Sequence, residues 1–246
     1  MADGFEDKVI VVTGGASGIG AATVALLAGD GARVVSVDRS EATPEGAALC
    51  LRGDVGDAGT VAAHAARIAE RFGRFDGLVA CAGYSNGKSV PDCPVSEWQD
   101  ILQTNLTGTF LWAQAAVAGM RATGGGGAIV MIGSQLAMAG GRSNAAYLAS
   151  KGAIVSLART MAVDHAAEGI RVNVLVPGAI DTPLLNRAFA RADDPEAARA
   201  RSVARHPLGR LGTAEEMARG IRFLLSEDAS FSTGSCLFAE GGWLAG

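Results

Sequence analysis

Tyr147 and Lys151, in the stretch YLASK, stand one helical turn apart and carry the side chains best suited to proton transfer in this sequence. Residues four apart share a helix face, roughly 6 Å apart along the axis. A phenol with an ordinary pKa of about 10 accepts protons poorly at neutral pH. A fixed cation beside it favours the phenolate. Lowering that pKa by about 3 units takes about 4 kcal/mol of differential stabilisation, which demands a partly desolvated site. An isolated Tyr-x-x-x-Lys is more often a helix surface pair, so the pair gains weight only from what accompanies it.

Several candidates accompany it. Ser134 follows the apolar run AIVMIG, 13 residues before Tyr147. Its hydroxyl could hold a substrate oxygen while Tyr147 exchanges the proton. Asn105, in QTNLTG, is expected to open a helix over 105–121 and to hold a water behind Lys151. Upstream, TGGASGIG places Gly14, Gly18 and Gly20 between the first apolar run and the first helical stretch. Glycines there allow a tight turn and close approach of backbone to a pyrophosphate at a helix N-terminus. Asp38 closes the second apolar run, 18 residues beyond Gly20. An acid at that place accepts hydrogen bonds from adenosine ribose hydroxyls and repels a 2′-phosphate, which favours NAD over NADP. Arg39 pulls the other way, but Ser17 supplies no second cation inside the glycine loop. Asp54 and Val55, in RGDVGD, and Cys81-Ala82-Gly83 follow later apolar runs and reach the same edge. By themselves these two are ordinary strand-to-helix turns.

Seven short apolar runs must carry these residues: 8–13, 33–37, 48–51, 77–82, 128–133, 170–176 and 235–239. They are continuous and rich in Val and Ile, the pattern of strands buried on both faces of a parallel sheet. Helix-like stretches at 18–29, 57–72, 105–121, 147–168 and 213–226 lie between them. Alternation of this kind specifies an α/β doubly wound sheet with helices on both faces. No linker or internal repeat interrupts it, so one domain over 1–246 is expected. Polar segments at 84–98 and 183–208 break the alternation, and inserts after strand ends usually shape the ligand crevice. The second carries Arg187, Arg191, Arg199, Arg201, Arg205 and His206. Interspersed Asp193, Asp194 and Glu196 favour a solvated helix face over an anion site there. Leu136, Met138, Leu184, Leu185 and Phe189 suggest a partly apolar pocket.

Composition narrows the partners. The 246 residues are 49% hydrophobic with a net charge of −4 and no Lys/Arg block, which argues against a nucleic-acid or anionic-membrane partner. Cys50, Cys81, Cys93 and Cys236 are dispersed without a CxxC, as are the three histidines, so neither a metal site nor a disulfide framework is expected. Buried free thiols are the reading. The acidic start MADGFEDKVIVVTGG lacks a basic leader, and no run reaches membrane-spanning length, so the expected location is cytoplasmic.

Taken together, TGGASGIG, Asp38, GDV (53–55), CAG (81–83), Asn105, Ser134, YLASK, RVNVLVPGAIDT (171–182), PLGRLGTAEEMA and STGSCLFAEGGW resemble the short-chain dehydrogenase/reductase family from Lys8 to Gly242. The resemblance implies a Rossmann fold with a seven-stranded parallel sheet and an Asn105–Ser134–Tyr147–Lys151 tetrad. It also implies a nicotinamide cofactor held by Gly14, Ser17, Gly18, Ile19, Gly20, Asp38, Arg39, Asp54, Val55, Cys81, Ala82, Gly83, Tyr147, Lys151, Pro177, Gly178, Ile180 and Thr182. A homotetramer formed through paired helices and the C-terminal strand is implied as well. The expected activity is NAD-dependent hydride transfer between nicotinamide and a secondary alcohol or ketone, such as a cyclic diol or polyol. The oxidised nicotinamide's charge would help Lys151 lower Tyr147. A 3-oxoacyl-thioester reductase using NADPH is the enzymatic alternative, and a cofactor-sensing regulator the non-enzymatic one. Cys81 departs from the family, where an Asn is usual; so do Gly133 and the AEGG at 239–242.

Overall fold

Apolar runs that do not alternate need cover on both sides, and the chain supplies it. A computed structural model describes residues 4–246; the first three residues of the acidic start lie outside the described residues. Strands β1 (Val9–Thr13), β2 (Arg33–Asp38), β3 (Leu49–Arg52), β4 (Gly77–Ala80), β5 (Gly127–Ile132), β6 (Ile170–Pro177) and β7 (Cys236–Ala239) form one sheet. Its order is β3-β2-β1-β4-β5-β6-β7, and every pairing is parallel. The helices are α1 (Gly18–Gly29), α2 (Ala58–Phe72), α3 (Val95–Leu102), α4 (Gly108–Thr123), α5 (Gln135–Ala139), α6 (Ala145–His165), α7 (Pro183–Phe189), α8 (Pro195–Ala204) and α9 (Ala214–Leu225).

Successive strand side chains point to opposite faces. On one face Val9 and Val11 of β1 join Val61 and Ile68 of α2, Trp112 of α4 and Ile154 of α6. On the other, Ile10 and Val12 join Val24 and Leu27 of α1 and Met217, Ile221 and Leu224 of α9. The winding reverses between β1 and β4, which opens a crevice at the carboxyl ends of the central strands. The glycine loop leaves β1 there, and Cys81-Ala82-Gly83 leaves β4 beside it. Arg171 locks the far end of the layer: its guanidinium donates to the carbonyls of Leu224, Leu225, Ser226 and Ala229, closing the C-terminus of α9.

Three expectations change. Asn105 does not open a helix. The helical run starts with α3 and continues to Thr123 through a π-helical turn, Gln103–Thr107, that contains Asn105. The insert expected at 183–208 is two helices, each begun by a cap and a proline, Thr182-Pro183 and Asp194-Pro195. The cysteines are free thiols, but Cys50 is exposed and the other three are half-buried.

Candidate functional site

The glycine loop is tight enough to exclude other residues at two positions. Gly14 has φ +68°, and a Cβ there would lie 2.8 Å from the Ala82 Cα. A Cβ on Gly20 would lie 2.1 Å from the Gly14 carbonyl oxygen. Thr13 joins this loop to the β4 turn, its hydroxyl accepting from the backbone N–H groups of Cys81 (3.1 Å) and Ala82 (3.2 Å). Those bonds tie the turn where the family's usual Asn is replaced by Cys81. Burial pushes the Cys81 thiol up to about 11, so it remains a thiol at neutral pH. Ser17 sits at the N-cap of α1 in extended conformation and makes no side-chain cap. The first-turn N–H groups of α1 are thereby left to other acceptors.

Asp38 faces the same loop. Its carboxylate accepts from the N–H groups of Ala16 (3.2 Å) and Ser40 (3.0 Å). Neighbouring Arg39 lies 3.9 Å from the Asp54 carboxylate.

At the end of β5, Ser134 caps α5, its hydroxyl accepting from the Leu136 N–H at 3.2 Å. Tyr147 stands in the first turn of α6. That helix start is fixed from the insert after β4: Ala145 N–H donates to the Lys88 carbonyl at 3.1 Å, and the Ser85 hydroxyl bonds the Asn144 side chain. Just before it, Ser143 holds φ +51°, a left-handed conformation that costs a non-glycine residue about 1 kcal/mol or more. One turn beyond Tyr147, Lys151 is buried, and its ammonium donates to the Ile132 carbonyl at 2.8 Å and lies 5.7 Å from the Tyr147 ring centroid. Asn105 is fully buried behind this group. Its amide bonds the backbone of Tyr84 in both directions at 3.0 Å and donates to the Ser150 hydroxyl at 3.2 Å. Ser150 in turn donates to the Tyr147 carbonyl at 2.6 Å. A π-turn displaces one residue of a helix, often at functional sites; here it turns the Asn105 amide toward α6.

These parts share one cavity of about 460 Å³. Its wall includes Gly14, Ser17, Gly18, Ile19, Asp38, Arg39, Val55, Cys81, Ala82, Gly83, Ser134, Tyr147, Lys151, Pro177, Gly178, Ile180 and Thr182, all singled out from the sequence. Three residues singled out with them stand outside the wall: Gly20 packs under Gly14, Asp54 pairs with Arg39, and Asn105 lies one layer behind.

The chain is similar to known proteins over its whole length. The family model described as "Enoyl-(Acyl carrier protein) reductase" matches residues 14–244. Cis-4-hydroxycyclohexanecarboxylate dehydrogenase of Sinomonas cyclohexanicum is 42% identical, with all of both chains covered. A 2,5-dichloro-2,5-cyclohexadiene-1,4-diol dehydrogenase of Sphingobium indicum is 37% identical over 98% of each chain. The ligand-free aldohexose dehydrogenase of Thermoplasma acidophilum superposes with a TM-score of 0.92 at 30% identity, covering 99% of this chain and 96% of that one. The chain belongs to the short-chain dehydrogenase/reductase family.

Dehydrogenases of this family use a nicotinamide cofactor, NAD or NADP. The residues present fit such a group. A loop closed to a Cβ at Gly14 and Gly20 and an N-cap that leaves helix N–H groups unused form a cradle for a diphosphate.

Burial governs the electrostatics of the proton-transfer pair. Burial pushes the Tyr147 phenol above its ordinary value, opposed by hydrogen bonding from Ser134. Burial also pulls the Lys151 ammonium down to about 8. The chain's own groups thus favour the phenol over the phenolate. An ion on either group is costly out of water.

Sequence reasoning missed part of the wall of this short-chain dehydrogenase/reductase. Tyr84, Ser85, Gln135, Asn144, Ser202 and Trp243 all line the cavity. Gln135 was detectable from its place directly after Ser134. Trp243 had no local signal, because only the return of β7 beside β6 brings it over the site. Of the apolar set, Leu136, Leu184 and Leu185 line the cavity, while Met138 and Phe189 do not. His206 is buried in the wall; it bonds the Ser202 carbonyl through Nδ1 (2.7 Å) and accepts from the Ala179 N–H at Nε2 (3.3 Å).

Proposed function

We propose that the protein is an NAD-dependent oxidoreductase that interconverts a cyclic secondary alcohol and its ketone, with Tyr147 as the general acid and base. The convergence of Ser134, Tyr147 and Lys151 on the cavity that the glycine loop enters carries this reading. The names of the cyclohexane-acting relatives and the leucines of the wall favour a ring-shaped alcohol. Preference for NAD rests on Asp38, which faces the glycine loop and would repel a 2′-phosphate.

Gly14, Ser17, Gly18 and Ile19 would hold the diphosphate, supported by Gly20 beneath. Asp38, Arg39, Asp54 and Val55 would surround the adenosine. Cys81, Ala82, Gly83, Pro177, Gly178, Ile180 and Thr182 would hold the nicotinamide half. When bound, the nicotinamide ring supplies the hydride acceptor for oxidation and the donor for reduction. Ser134 holds the substrate oxygen by its hydroxyl. In reduction, the Tyr147 phenol gives its proton to that oxygen. In oxidation, the Tyr147 phenolate takes the proton back. Lys151 favours the phenolate by its charge and shares the relay through which protons reach solvent. Asn105 positions α6 through Ser150 and Tyr84, a role at one remove from the reacting atoms. The segment 183–208 covers the substrate.

Single-domain organisation over 1–246 and a homotetramer complete the reading. Phe110 on α4, Val163 on α6 and Phe238 on the edge strand β7 are exposed and apolar, as paired helices and an edge contact would require. A panel of cyclic alcohols and ketones, followed by nicotinamide absorbance with NAD and NADP in parallel, tests the function. Turnover with NAD and ring alcohols is expected. Activity confined to NADPH and acyl thioesters would favour a 3-oxoacyl-thioester reductase, and cofactor binding without any turnover a regulator.

A further inference from the structure

The segment 183–208 reads as a solvated helical face with five arginines and three acids, yet its charges are sorted by position. Arg187, Arg191 and Arg205 line the cavity, whereas Asp193, Asp194 and Glu196 do not. Its other arginines stand apart: Arg199 pairs with Asp181, and Arg201 is outside the wall. Among the described residues, none of the three cavity arginines has an acidic partner. Arg191 is steered inward by its donation to the Ser85 carbonyl at 3.4 Å, a bond that uses one of five guanidinium N–H groups. The sole acid of the cavity wall is Asp38. It ends β2, four strand steps from β6, the strand that feeds the segment, or roughly 19 Å at ~4.8 Å per step. The cavity thus carries Asp38 with Arg39 at one end and, at the other, three exposed arginines without an acidic partner on its rim.

We propose that Arg187, Arg191 and Arg205 form an anion subsite that seats a carboxylate or sulfonate carried by the substrate. The inference deepens the oxidoreductase reading and rests on it for the word substrate. Guanidinium groups bind planar and tetrahedral oxyanions through paired N–H donors. Leu184 and Leu185 supply an apolar wall beside them, so the fitting molecule is a hydrocarbon ring with one fixed negative charge.

The test titrates cyclohexanecarboxylate and its neutral match, cyclohexanecarboxamide, into the protein by calorimetry, with and without NAD. The wild-type protein should bind the acid about tenfold or more tightly than the amide, with the preference shrinking as salt is raised. A triple variant, Arg187→Gln with Arg191→Gln and Arg205→Gln, should lose that preference while amide and NAD affinities change by less than about threefold. The subsite is overturned if the wild-type protein binds the acid no better than the amide, or if the triple variant keeps the preference. It is also overturned if NAD affinity falls together with acid affinity, because the arginines would then serve the dinucleotide. Because this readout is binding, it separates two failures. Lack of turnover on the alcohol panel, with the preference intact, removes the oxidoreductase reading and leaves the anion subsite standing.

Discussion

Replacing Lys151 by Met keeps the buried stem and removes the charge. The ammonium lies 5.7 Å from the Tyr147 ring centroid. At an effective dielectric of about 20, a unit charge at that distance contributes about 3 kcal/mol, or about two pKa units. Alcohol oxidation needs the phenolate, and burial already raises the phenol. The variant should therefore shift the rising limb of the oxidation pH profile upward by about two units. Near neutral pH, that is about a 100-fold loss in kcat/KM, recovered in part as the pH is raised. The Ile132 carbonyl loses its donor, so some stability is lost as well, about 1–3 kcal/mol. Thermal melts under assay conditions separate that loss from the kinetic one. A profile lowered equally at every pH, with its limb unmoved, would refute the electrostatic role and leave Lys151 as a ligand-holding group alone.

In the wild-type enzyme, ketone reduction should run best where Tyr147 keeps its proton and fall as pH rises, whereas alcohol oxidation rises; parallel profiles in both directions check this. Asp38→Ala should lower kcat/KM with NAD by about 10- to 100-fold, the scale of a charge-assisted hydrogen bond, and narrow the gap to NADP; both cofactors are compared on one substrate. Gly20→Ala places a Cβ 2.1 Å from the Gly14 carbonyl, so dinucleotide binding followed by NADH fluorescence should be lost or fall by orders of magnitude, with destabilisation of about 1–3 kcal/mol. Arg171→Ala strips donors from four carbonyls at the end of α9 and should cost about 3 kcal/mol, a fall in Tm of about 6–12 °C, with kcat at low temperature little changed.

The sheet was legible because its central strands are buried on both faces, so Val9–Thr13 or Ile170–Pro177 leave few residues free to be polar. The glycine loop was legible for a related reason, since backbone packs where a Cβ would sit at Gly14 and Gly20. What stayed hidden depends on contacts distant in sequence. The start of α3 follows a proline and polar chain, so Val95–Trp98 read as the end of the polar segment 84–98. The π-turn at Asn105 leaves no compositional trace. Which arginines of 183–208 face inward depends on how α7 and α8 lie over the β4 insert. Spacing gives the separation of the Tyr147–Lys151 pair but not how deeply Lys151 is buried.

Tyr147→Phe, assayed for turnover and for cofactor affinity on the same preparation, bears most directly on proton exchange by this phenol. The substitution removes one oxygen from a packed wall and leaves the glycine loop and Asp38 untouched. The account predicts that kcat falls by about 100- to 10,000-fold while the dissociation constant for NADH stays within about threefold of wild type. A variant that kept most of its kcat would contradict it.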